Sequence, residues 1–175
     1  DVVRFAAEPG QAIRLKLING DDMAHNLVFT KPGQRQAVAT AALVLGVDGE
    51  AKNWVPDHDA VLWSTPVLPP GEQHVLQFTA PVEPGIYPYV CTYPGHGFLM
   101  YGAMYVGVSM PELATDQHVP ELARQGKAAQ KQFHAWGHKR PLMYRIFMPD
   151  ASPSAIAVGL KHGQNYCWDA GQCRL

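Results

Sequence analysis

The chain has 175 residues, 47% of them apolar, with Lys+Arg at 14 against Asp+Glu at 15 and a formal charge of -1. That length suits one ordinary domain plus an appendage, and the charge balance excludes the basic face that a nucleic-acid binder needs. No run approaches the ~20 apolar residues of a membrane helix, and residues 1–20 lack a basic-then-apolar leader, so a soluble chain whose export signal is removed or lies upstream is expected.

Val2 to Phe5 reads as a short strand, and Gln11-Ala-Ile-Arg-Leu-Lys-Leu-Ile-Asn19 more clearly as one, because Ile13, Leu15 and Leu17 alternate with Arg14 and Lys16. Further β-rich runs follow at 25–30, 60–65, 74–79, 86–91 and 101–108, most of them jointed by Pro or Gly. Six to eight such strands predict a sandwich or Greek-key barrel. Between Thr30 and Ala60 the alanine-rich segment 36–45, with Gly46 as a stop, predicts a helical flap between two strands. Residues 111–136 read as mostly helical, with Val119, Leu122, Ala123 and Lys127 at helical spacing, and 142–147 as one more strand. Trp136, Leu142, Tyr144, Ile146 and Phe147 are too apolar to stay solvated, so this tail is expected to pack on the β domain or link it to another.

The segment Cys91-Thr-Tyr-Pro-Gly-His96-Gly-Phe-Leu-Met100 puts a thiol, an imidazole and a thioether on one loop after a strand. Thiolate and thioether favour copper in its reduced state and imidazole suits both oxidation states. A trigonal His₂Cys centre with a weak axial Met is the electron-transfer geometry. The second imidazole is found in Asp22-Met-Ala-His25-Asn-Leu-Val28, at the start of a strand that a barrel can bring beside the later loop. With 3 Cys, 8 His and 6 Met in the chain, a Cys followed at +5 by His and at +9 by Met arises by chance with a frequency of roughly 0.005. Taken singly, Cys91 reads as an inert buried thiol and Met100 as core filling; taken together they read as a copper site.

The same loop, continued by Tyr101-Gly-Ala-Met-Tyr-Val106, closely resembles the ligand loop and last strand of cupredoxins of the azurin and auracyanin kind. His25-Asn26 is similar to that family's first-ligand pair. The alanine-rich flap sits where azurin has its helix, and Pro69-Pro-Gly-Glu-Gln73 to Phe78 resembles the strand before the final hairpin. The resemblance covers about residues 2–109. It implies an all-β Greek-key barrel or sandwich of the cupredoxin type with a helical flap insertion and a mixed helical C-terminal extension. It further implies a copper domain over 1–109 and an extension or linker over 110–175. One type 1 copper is implied, with His25, Cys91 and His96 equatorial and Met100 long and axial; the backbone carbonyl that azurin sets on the opposite axial side falls here on Ala24. Part of the usual first strand would precede Asp1, as in a fragment of a larger protein.

By the same resemblance Asn26 ties its loop to Thr92, and the Tyr93 backbone N–H donates to the Cys91 sulfur, stabilising thiolate charge. The loop between the Cys and Met ligands would cap the barrel, bringing the edge of His96 to the surface. Residues 92–100 hold no Asp, Glu, Lys or Arg, so Pro94, Gly95, Phe98 and Leu99, with Met23, would form an apolar contact patch. The implied function is that of an electron carrier or relay domain. It would cycle one copper between Cu(I) and Cu(II), with a partner such as a c-type cytochrome or a domain of a larger parent chain, in a periplasmic or other extracytoplasmic setting. Pro88 interrupts the strand leading to Cys91, implying an edge position or a bulge.

Copper nitrite reductases and multicopper oxidases use similar barrels, but they need further copper held by further histidines, often with His beside the type 1 Cys. Here the neighbours of Cys91 are Val90 and Thr92. A copper store would want exposed Met or Cys clusters. His134 and His138 stand at i, i+4, yet no Cys or acidic partner accompanies them in a recognised zinc pattern, and His58, His74, His118 and His162 likewise read as ordinary side chains. Cys167 and Cys173 lack a haem-attachment signature, and their spacing suits a small disulfide loop in an oxidising compartment.

Overall fold

The computed structural model describes residues 3–125, together with the backbone of 142–147 and 156–159. The alternating segment forms β2 (Ala12–Asn19), in which Ile13, Leu15 and Leu17 are at most 2% exposed while Arg14 faces out. Period two thus turns one whole edge of side chains into core. β2 pairs antiparallel with β5 (Gln73–Thr79), setting Ile13 opposite Phe78 and Leu15 opposite Leu76.

The remaining strands are β1 (Arg4–Ala7), β3 (Val28–Thr30), β4 (Val61–Ser64), β6 (Gly85–Val90), β7 (Tyr101–Val106), β8 (Leu142–Phe147) and β9 (Ile156–Gly159). They assemble as two sheets, ordered β1-β7-β6-β3-β4 and β5-β2-β8-β9. Phe5, Phe29, Tyr89 and Met104 of the first sheet meet Leu15, Leu17 and Phe78 of the second in one core. The described strands therefore make a two-sheet sandwich and do not close into a barrel. Within the first sheet β1 runs parallel to β7 and so close that a Cβ on Gly102 would lie 2.1 Å from the Val3 carbonyl oxygen and 2.6 Å from the Tyr89 ring. Only glycine fits there.

The flap helix α1 (Arg35–Val44) lies between β3 and β4 in sequence and ends just before Gly46, whose φ of 54° opens a short 3₁₀ turn. Val38 joins Val28, Val90 and Ala60 in a second apolar cluster, so the first sheet is covered on both faces. Pro88 departs from expectation. It sits on β6, an interior strand, opposite Ala103. The β3–β6 ladder covers only Val28 and Phe29, and just past its end the Thr30 hydroxyl donates to the Pro88 carbonyl at 3.4 Å. The missing N–H therefore falls where no ladder bond is needed.

The tail begins less helically than its spacing predicts. Up to residue 125 it holds a 3₁₀ turn at Leu113–Thr115 and a four-residue helix, α2 (Glu121–Arg124). Between them Asp116 is extended and fully buried, which ends the periodic reading. Its carboxylate accepts from the Tyr105 hydroxyl at 2.7 Å, the His118 backbone N–H at 2.9 Å and the Arg4 guanidinium at 3.1 Å, while Val119 is buried beside it. Further on, β8 adds antiparallel to β2, from Arg14 opposite Phe147 to Asn19 opposite Leu142, and β9 pairs with β8. His134, Trp136, His138, His162, Cys167 and Cys173 lie outside the described residues.

Burial pushes the Asp116 carboxyl up, but the Tyr105 hydroxyl, the His118 amide and Arg4 outweigh it and hold the group below its ordinary value. A carboxylate depressed in the fold stabilises at and above the ordinary carboxylate range, and that contribution is lost as pH falls below it. Tyr105→Phe should cost about 1.5–3 kcal/mol at neutral pH, and the difference from the native chain should shrink at about pH 3. Denaturant unfolding at the two pH values measures both.

Candidate metal centre

The loop after β6 is closed at its neck by the Cys91 N–H donating to the Met100 carbonyl at 2.9 Å. Pro94 and Gly95, the latter at φ 82°, turn the chain into a 3₁₀ turn at His96–Phe98, and the Leu99 and Met100 N–H groups both return to the His96 carbonyl. His96 is thereby folded back over Cys91. From the other side, His25 is bracketed by Leu68, donating to its carbonyl at 3.1 Å and accepting from its N–H at 2.7 Å.

Three donor atoms converge. Cys91 Sγ lies 3.7 Å from His25 Nδ1 and 3.5 Å from His96 Nδ1, and the two imidazole nitrogens are 3.1 Å apart. All three residues are buried, His96 the most open at 8% exposure. The centre of a triangle with these sides lies about 2.0 Å from each corner, against metal–nitrogen bonds of ~2.0–2.1 Å and metal–sulfur bonds of ~2.3 Å for a first-row divalent ion. The cavity therefore fits one ion, and thiolate with two imidazoles is a copper-compatible set. Half-buried Met100 sits across the neck from Cys91, and Ala24 immediately precedes His25.

The surrounding bonds fix the two loops to each other. Buried Asn26 donates from Nδ2 to Thr92 Oγ1 at 2.7 Å and accepts the Thr92 N–H at 2.8 Å. Burial raises the Cys91 thiol to about 11, while the backbone N–H groups of Asn26 and Tyr93 pull it the other way. The metal-free thiol thus keeps its proton at neutral pH, and a bound cation must displace it. The flap contributes as well: Arg35 donates to the Gly97 carbonyl at 3.3 Å and stacks 3.7 Å over the Tyr101 ring. Of the apolar patch, Phe98 is 62% and Met23 41% exposed, Gly95 is open, and Pro94 and Leu99 are half-buried.

Several contributors carry no signal in sequence. The Asn53 carbonyl accepts a second bond from Asn26 at 2.8 Å, Trp54 packs edge-on against Tyr93, and both have left-handed backbone, with φ of 52° and 55°. Asn tolerates that conformation and Trp does not favour it, so only the three-dimensional turn reveals the pair. Asp21, whose carboxylate lies 3.3 Å from His25 Nε2, is another.

The sequence profile of the copper-binding plastocyanin/azurin family matches residues 4–107. The chain belongs to that family. Auracyanin-A of Chloroflexus aurantiacus is 32% identical over 108 residues, covering 61% of this chain and 65% of that protein. Azurin-2 of Alcaligenes xylosoxydans xylosoxydans is 36% identical over 88 residues, covering 49% of this chain and 66% of its own. The match thus spans just under two thirds of either relative. Among solved structures, dithionite-reduced auracyanin from Roseiflexus castenholzii superposes with a TM-score of 0.54 at 32% identity, over 62% of this chain and 86% of its own. A plastocyanin/azurin-type sandwich thus carries the buried Cys and two His side chains at one end.

Asn26→Ala leaves the Thr92 N–H buried without its acceptor and should destabilise the metal-free chain by about 2–3 kcal/mol, read from denaturant unfolding.

Proposed function

We propose that the chain is a type 1 blue-copper electron carrier or relay domain. In this reading His25, Cys91, His96 and Met100 would hold one copper, with the Ala24 carbonyl as a further candidate contact. The triangle of donor atoms at 3.1–3.7 Å is the observation that carries it. Copper bound there supplies a one-electron couple between Cu(I) and Cu(II).

The protein's part is to hold the donors still. The neck bond from Cys91 to Met100, the Leu68 bracket on His25 and the Asn26–Thr92 pair keep each ligand in place whatever the metal's charge. Little reorganisation then accompanies electron transfer. The Asn26 and Tyr93 N–H groups stabilise negative charge on sulfur. Apolar walls exclude water from Cys91, while exposed Phe98 and Met23 with Pro94, Gly95 and Leu99 offer an apolar contact beside His96, with no charged residue within 92–100. A small, weakly polar surface suits a transient encounter in which fast release matters more than affinity. The partner is a redox protein such as a c-type cytochrome or another domain of a parent chain, and the setting is periplasmic or otherwise extracytoplasmic. Among the described residues no helix is long and apolar enough to cross a membrane.

The copper unit is assigned to 1–109 and the extension to 110–175, with Cys167 and Cys173 joined as a disulfide. The extension clasps the unit through Asp116 at the side of β1 and β7, by way of Arg4 and Tyr105.

Native protein should bind one copper per chain and show an intense thiolate-to-copper visible band. Cys91→Ser should abolish that band while the chain stays folded, and an unchanged spectrum would falsify the ligand set. Phe98→Glu should leave the band intact and slow electron self-exchange at least about tenfold, by like-charge repulsion and desolvation at the contact; stopped-flow or NMR line-broadening measures it.

A further inference from the structure

His25 presents Nδ1 to Cys91 and His96, so its other nitrogen points away from the donor triangle, toward the loop that follows β2. What it meets there is a carboxylate. Asp21 Oδ2 lies 3.3 Å from His25 Nε2, one helical-like step earlier in sequence, and Asp21 is only 4% exposed. Taking a carboxylate out of water costs several kcal/mol unless its surroundings compensate, so its position calls for a physical account.

The loop is built to hold it. Fully buried Asn19 accepts the Asp21 N–H at 2.9 Å and donates to the carbonyls of Met23 and Leu68, both at 2.7 Å. Leu68 is the residue that brackets His25, so one asparagine fixes the carboxylate and the imidazole to a common frame. The other carboxylate oxygen accepts the Asp22 N–H at 2.6 Å. Oδ2 is thereby turned to the imidazole.

We infer that Asp21 is a positioning residue for the copper site: its buried carboxylate, 3.3 Å from His25 Nε2, draws the ring proton to that nitrogen, keeps the Nδ1 lone pair on the metal side, and favours Cu(II) over Cu(I). The inference rests on the ligand reading above. An imidazole that donates to a carboxylate is a more basic ligand than one that donates to a neutral acceptor. The added negative charge attracts the doubly charged ion more than the singly charged one. A backbone carbonyl in the same place would orient the ring without that bias.

Asp21→Asn keeps the size of the side chain and an oxygen for the Asp22 N–H but removes the charge. It should raise the Cu(II) dissociation constant by about 10-fold or more and the Cu(I) constant by about threefold or less. The midpoint potential then rises by ~59 mV for each tenfold change in the ratio of the two constants. A purely structural role would weaken both ions alike and leave the potential where it is, which overturns the inference. Should the variant not fold, the native Cu(I) protein decides: ¹⁵N NMR should find a proton on His25 Nε2, and a bare Nε2 is incompatible with the role. Failure of the ligand reading looks different, since native protein would then lack the thiolate-to-copper band altogether. A normal band with an unmoved potential in Asp21→Asn refutes Asp21 alone.

Discussion

Two imidazole nitrogens 3.1 Å apart and a thiol 3.5 and 3.7 Å from them, all in a dry interior, form an arrangement that no side chain would choose for itself. All three are polar groups that burial deprives of solvent, which costs free energy unless neighbours satisfy them. The backbone must impose the cluster, and most of what is specific about this end of the molecule serves that purpose. Cys91 is held by the neck of its own loop, His96 by the 3₁₀ turn, and His25 by its two-way bridge to Leu68. Asn26 then fastens the first loop to the second, so no donor can drift without moving a buried hydrogen bond. A cation at the centre would take all three as ligands without asking the scaffold to move.

The two sheets divide this labour. The first carries β6 and β7, which launch and receive the Cys91–Met100 loop, and it is sealed outside by α1 and inside by Phe29, Tyr89 and Met104. A sheet packed on both faces resists local opening. The second supplies β2, whose last residue, Asn19, starts the loop that leads to His25. The site is thus slung between the sheets, and the core that joins them is also what keeps the donors apart by a fixed amount.

Much of this was legible in the chain itself. Ile13, Leu15 and Leu17 announce a strand by simple alternation, the alanine run announces a helix that Gly46 stops, and the thiol, imidazole and thioether of one loop announce soft-metal chemistry. Other features are invisible to local reasoning because their cause is distant. Pro88 looks like an edge residue, yet a neighbour that simply ends early lets it sit in the middle of a sheet. Asp116 lies within a stretch that reads as mostly helical, yet Tyr105 and Arg4, contributed by β7 and β1, hold it extended and buried. Asp21 is one of two adjacent aspartates in a polar loop, and nothing in its neighbours tells that it is buried against an imidazole while Asp22 faces solvent.

The strand pairing also sets an order in time. Leu17 of β2 lies opposite His74 on one side and Tyr144 on the other, and Phe5 of β1 waits for Met104. During synthesis both early strands therefore emerge long before their partners, with β2 exposing a fully formed apolar face and an open edge. Closing such long loops before any contact rewards them places this topology among slow, non-local folders. The segments that build the copper end must then be gathered late, after the ribosome has released β7, and a nascent chain halted before that point would display unpaired strand edges to whatever surrounds it.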